Sequence, residues 1–149
     1  MIRVFEKATA APGAVFAKLI LPFDFRQRSR FTATLENGES VAVSLPRGTQ
    51  LRDGDLLRAE TDALIEVQAA LEAVSTAYAQ TPTELARACF HLGNRHTRVQ
   101  IGPAWVRYLQ DHVLDEMVLG FGLAIVHEQS PFEPESGAYA AGHVAHHEH

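Results

Sequence analysis

The hydrophobic period of this chain changes partway along. Up to about residue 70, apolar residues alternate singly with polar ones and are broken by glycine-containing turn pairs. Beyond about residue 80, two stretches repeat their apolar positions every three or four residues. A period of two suits strands and a period of 3.6 suits helices, so neither a single sheet nor a helical bundle accommodates the whole chain. At 149 residues there is room for two small domains, read here as residues 1–70 and 71–149.

The first half reads as all-β. "RFTATLENGESVAVSL" (30–45) alternates on both sides of Asn37-Gly38, a hairpin signature. Register selects its turn. A two-residue loop would set Leu35 against Ser40, splitting the apolar faces. A three-residue loop, 36–38, with Gly38 left-handed, sets Ala33 opposite Val41 and Phe31 opposite Val43, and keeps one face apolar. "VFAKLIL" (15–21) and "ALIEVQAA" (63–70) read as further strands, with turns at Arg47-Gly48 and Asp53-Gly54. No helix signature precedes about residue 80.

The second half reads β-α-β-β-α-β. "LEAVSTAYAQ" (71–80) is a strand. In "TPTELARACFHLG" (81–93), Thr81 is an N-cap, Pro82 takes the first helical position and Glu84 has capping-box spacing. Leu85, Ala88, Cys89 and Leu92 form its stripe, and Gly93 is expected to end it as a left-handed cap. "TRVQIG" and "AWVRYLQ" are strands. "DHVLDEMVLGFG" is a helix capped by Asp111, with Val113, Leu114, Met117, Val118 and Phe121 buried. "LAIVHEQ" is the last strand. The expected class is α+β: an N-terminal all-β domain, then a ferredoxin-like domain with two helices on one face of an antiparallel sheet. The end, "FEPESGAYAAGHVAHHEH" (132–149, histidine-rich over about 140–149), has little apolar periodicity and is expected to be mobile.

Composition narrows function. A formal charge of −5 argues against nucleic acid and an anionic membrane as partners. A single cysteine, Cys89, forms no internal disulfide and sits on an apolar stripe, as a buried thiol would. There is no secretory signal and no apolar run near the roughly 20 residues that span a bilayer, so a cytoplasmic location is expected. Enzyme motifs are missing: no Gly-x-Ser-x-Gly, phosphate loop or dinucleotide fingerprint. Asp111, Asp115 and Glu116 show no convergence, and Asp115 and Glu116 read as a solvated helix face. The chain is therefore read as a non-enzyme.

The histidines carry the chemistry. There are eight, and all lie from His91 onward. His143, His146, His147 and His149 crowd the end, and such a tract suits nickel, zinc or copper. His96 follows a helix cap, where it would protrude. One imidazole holds no transition metal tightly, but a two-fold dimer would supply a second copy. His112 opens the second helix as an auxiliary candidate. His91 reads as a surface or capping residue, and His127 as packed or hydrogen-bonded. An all-imidazole set would lose affinity as pH falls through about 6.5, the ordinary histidine range. Three readings are open on these residues alone: metal delivery, a zinc or copper buffer, and a plain interaction module with an incidental tail.

"CFHLGNRH" (89–96), "QI" (100–101), "DHVLDEM", "GFG" and "PFEPESGAY" (131–139), followed by a histidine-rich end, resemble the UreE urease accessory proteins, which are nickel metallochaperones. The resemblance covers the second half by motif and the first by class. It implies a β domain for partner or peptide binding, then a ferredoxin-like domain that forms a homodimer. It implies Ni(II) as cargo, with the urease accessory GTPase and the urease apoprotein as partners. By resemblance, His96 binds the interfacial nickel from both subunits, His112 is an accessory ligand, and tail histidines extend the coordination. Gln110 stands where some members carry a histidine paired with the next-but-one position, and the tail is short, which implies few ions per dimer.

Overall fold

The computed structural model describes residues 1–9 and 14–137. Contacts group Met1–Ala70 into one compact unit and Leu71–Ser136 into another.

The first unit is a six-stranded sheet. Its strands are β1 (Ile2–Ala8), β2 (Ala17–Leu21), β3 (Arg30–Thr34), β4 (Ser40–Ser44), β5 (Leu56–Ala59) and β6 (Leu64–Ala69). They lie in the order β2-β6-β5-β1-β4-β3, with β1/β4 and β2/β6 parallel. The β3–β4 hairpin has the three-residue-loop register: Phe31 faces Val43, Ala33 faces Val41, and Gly38 is at φ +94°. Alternate residues such as Val4, Leu19, Val41, Leu57 and Ile65 are fully buried, so the period of two does build the core.

Three elements were not foreseen: the strands β1 and β5, and one helical turn. α1 (Phe23–Arg26) is a single helical turn N-capped by Pro22. Four residues are too few to display a helical period, and Pro22 reads in the sequence only as the end of a strand. The turn buries Arg26, whose Nε donates to the Leu21 carbonyl at 3.1 Å.

The second unit runs β7 (Leu71–Tyr78), α2 (Pro82–Asn94), β8 (Gln100–Ile101), β9 (Trp105–Leu109), α3 (His112–Gly120) and β10 (Ala124–Pro131). Its antiparallel sheet is ordered β10-β7-β9-β8, the ferredoxin-like arrangement. Ala77, Val106 and Tyr108 meet Ala88, Leu92 and Val118 from the helices in one core. Thr81 Oγ1 accepts from the Glu84 amide at 3.1 Å. The Glu84 carboxylate reaches back to the Gln80 amide at 2.9 Å, one residue before the usual capping-box partner. Asp111 Oδ1 accepts from the amides of Val113 and Leu114. Each such cap is worth about 1 kcal/mol.

Four local expectations are corrected. The start of the tail expected to be mobile is fixed: Phe132 is fully buried and the Glu133 and Glu135 amides are hydrogen-bonded to Gln100 and Val99. Gly93 is not left-handed; α2 continues through it to Asn94. β8 occupies only two residues of 97–102, because the chain leaving α2 is first tied back to the helix end. In α3, Val113 is 51% exposed while Asp115 is buried. The inward face of this short helix is centred on Asp115 and Val118, and a buried tyrosine makes room for the carboxylate.

Candidate metal centre

Residue 96 owes its position to the end of α2. The amide of His96 donates to Gly93 O at 2.9 Å and that of Thr97 to Leu92 O at 3.1 Å. This is a Schellman motif, whose turning position is usually glycine. Here His96 occupies it, at φ +60°. A β-carbon in that conformation crowds the following carbonyl and costs roughly 1–2 kcal/mol. The ring itself is exposed.

Sheet register brings the second candidate to the same end of the unit. Gln100 pairs with Arg107 antiparallel, so the residues before Gln100 lie toward the Leu109 end of β9. Gln110, Asp111 and His112 follow directly from that end. His112 is exposed at the first position of α3. It lines a groove of about 470 Å³ with Gln110, Asp111, Val113, Asp115 and His127.

Asp115 is a buried acceptor between two donors. Tyr108 Oη donates to Oδ1 at 2.6 Å, and His127 Nε2 lies 2.7 Å from Oδ2. Burial alone would raise its pKa, but these two bonds outweigh it and hold the carboxyl below its ordinary value. Burial, reinforced by Asp115, pushes the Tyr108 phenol upward. His127 is thus hydrogen-bonded, as its strand pattern suggested, while the solvated-face reading of Asp115 is overturned. Asp115 stands three residues before Val118 on the same helix face, and that spacing is the signal that could have found it.

His91 is half-buried and stacks on Phe121, with ring centroids 4.8 Å apart, which occupies one face of its ring. Cys89 is half-buried rather than fully so, and burial, then the charge of Glu135, raises its thiol pKa. That disfavours the thiolate a metal would need.

Among the described residues, no group of three or more His, Cys, Asp or Glu is placed to hold an ion. His143, His146, His147 and His149 lie outside the described residues. The last described stretch passes Val99, three residues beyond His96: the Glu135 amide donates to Val99 O at 2.7 Å.

These features define a two-unit α+β protein, a β domain followed by a ferredoxin-like unit that presents imidazoles at one end. Residues 2–70 match the family described as UreE urease accessory protein, N-terminal domain, and residues 72–149 match its C-terminal domain. The "Urease accessory protein UreE" of Alkalilimnicola ehrlichii is 57% identical over 83% of this chain and 76% of its own length. That of Escherichia coli O157:H7 is 49% identical over 91% and 88%, and that of Vibrio parahaemolyticus 48% over 85% and 83%. The chain belongs to the UreE urease accessory protein family. Its role lies in urease maturation, and it is an accessory factor, not a catalytic enzyme. No described helix is long and apolar enough to cross a membrane.

Proposed function

We propose that this chain is a cytoplasmic nickel metallochaperone that binds Ni(II) at a homodimer interface and delivers it to the urease apoprotein together with the urease accessory GTPase. Residues 1–70 serve partner or peptide binding. His96 of each subunit supplies the central ligands, the tail histidines His143, His146, His147 and His149 add to them, and His112 forms an auxiliary position.

The observation that carries this reading is the backbone at His96. A bulky residue is held in a glycine conformation at the tip of a helix end, with its imidazole in solvent. Strain of this kind persists where surrounding structure enforces it, and it clusters at ligand sites. One exposed imidazole per chain cannot hold an ion tightly, so a second copy and the tail are what the reading requires. Such a site is shallow, and a shallow site releases its ion readily, as delivery demands.

Calorimetric nickel titration of the parent and of His96→Ala tests it. Loss of the tightest site with an unchanged far-ultraviolet circular dichroism spectrum is expected. One nickel per dimer bound by the variant as tightly as by the parent refutes the interfacial site. Urease activation in cells lacking the protein separates delivery from a zinc or copper buffer, because affinity order alone favours copper over nickel for any such ligand set.

A further inference from the structure

The segment after β10 changes edges of the sheet. Pro131 still pairs with Leu71 on β7, at the β10 edge. Two residues later the Glu133 amide donates to Gln100 Oε1 at 3.0 Å, and the Glu135 amide donates to Val99 O at 2.7 Å, both at the β8 edge. Strands alternate their faces. Tyr108 reaches Asp115 on the helix side, so Arg107 and its partner Gln100 belong to the opposite face. Phe132 is fully buried and Pro134 is buried. A crossing of three interstrand spacings is about 14 Å, near the reach of four extended residues.

We propose that Phe132–Glu135 is a clamp that roots the histidine tail beside the His96 loop, with Gln100 and Phe132 as positioning residues for metal capture. This rests on the nickel reading above. Val99 lies three residues beyond His96, on the stretch leading from the left-handed turn into β8. With the clamp closed, the chain starts toward His143 from Glu135, a span of at most roughly 28 Å. With the clamp open, it starts from Pro131, about 14 Å away at the other edge, and is half as long again. Local concentration falls at least as the −3/2 power of linker length once the linker exceeds the span. Clamp and offset together therefore shift the effective concentration of tail imidazoles at His96 several-fold. Neither Gln100 nor Phe132 need touch the ion to do this.

Two substitutions open the clamp mildly. Gln100→Met removes the acceptor for Glu133, and Glu135→Pro removes the donor to Val99. Each is made in the full chain and in a full-length chain with all four tail histidines replaced by alanine. Nickel affinity is measured by competition with a chromophoric chelator at pH 7.5. The clamp predicts three- to tenfold weaker binding in the full chain and a change under twofold in the alanine-tail chain. Equal losses in both backgrounds, or no loss in the full chain, overturn it. A metal-free measurement separates this from the nickel reading. A spin label on Glu148→Cys in a Cys89→Ala background is expected to broaden the amide resonances of residues 93–99, and Glu135→Pro to relieve that broadening. A parent that binds no nickel yet shows this pattern refutes the chaperone reading and supports the clamp; a parent without broadening refutes the clamp.

Discussion

His96 and Asp62 are the two non-glycine residues at positive φ among the described residues. Aspartate tolerates that region through its short polar side chain; histidine gains less there. Replacing His96 with glycine relieves the Cβ crowding. His96→Gly is therefore expected to raise unfolding free energy by about 1 kcal/mol, partly offset by the greater freedom glycine has when unfolded, while abolishing tight nickel binding. Urea denaturation of parent, His96→Gly and His96→Ala checks this, since alanine keeps the Cβ and should bring no such gain. Asp115 gives the opposite case. Asp115→Asn weakens both bonds to a buried carboxylate and is expected to cost about 1–3 kcal/mol at neutral pH. The folded carboxyl titrates below its unfolded value, so its stabilisation is complete above about pH 4, the ordinary aspartate range, and is lost as pH falls through the lowered folded value. The stability difference between parent and Asp115→Asn should accordingly shrink on acidification below the ordinary aspartate range, as followed by urea titration.

At the level of single elements, the sequence was most legible where local chemistry acts alone. The β3–β4 register followed from apolar matching around Asn37-Gly38, and the starts of α2 and α3 followed from Thr81 and Asp111 as caps. Legibility failed where a contact from another element, or the hydrogen bonding of the helix end itself, decides. Tyr108 on β9 turns Asp115 inward and rotates the buried face of α3 away from Val113. Two backbone bonds to Leu92 and Gly93 place the left-handed turn at His96, past the glycine that local preference would choose. The protrusion of His96 and the place of His112 at the start of α3 could be anticipated; their arrival at one end of the sheet, the Asp115 network and the clamp could not. The β8–β9 turn supplies a further test. A Cβ on Gly102 would clash with the Trp105 ring, and that ring carries the Arg107 guanidinium 4.5 Å from its centroid. Gly102→Ala must displace the indole. A cost of about 1–3 kcal/mol is expected, together with a red-shifted tryptophan emission, which is unambiguous because Trp105 is the single tryptophan.

For the whole molecule, the proposed centre exists only in an assembly, and this makes its stoichiometry informative. A two-fold interface repeats one patch from each copy. When parent and His96→Ala chains are mixed equally and allowed to exchange, about one quarter of dimers carry both His96 rings if association is random. Tight nickel sites counted by mass spectrometry of intact dimers should fall to that fraction; about three quarters would show that one ring suffices. The two chain units have unequal shares in this. Residues 1–70 contain no histidine, since the first lies at residue 91, so every proposed ligand falls in the second half of the chain.

The left-handed turn at the end of α2 also bears on speed. With the backbone at residue 96 fastened through its own amide and that of Thr97, little beyond the two torsions of the ring remains to be frozen when an ion arrives. Most of the ordering is completed when the chain folds. Encounter at this ring should then be timed by the exchange of water from the incoming ion, and departure by rupture of a nitrogen–metal bond, with no slow rearrangement of the loop interposed.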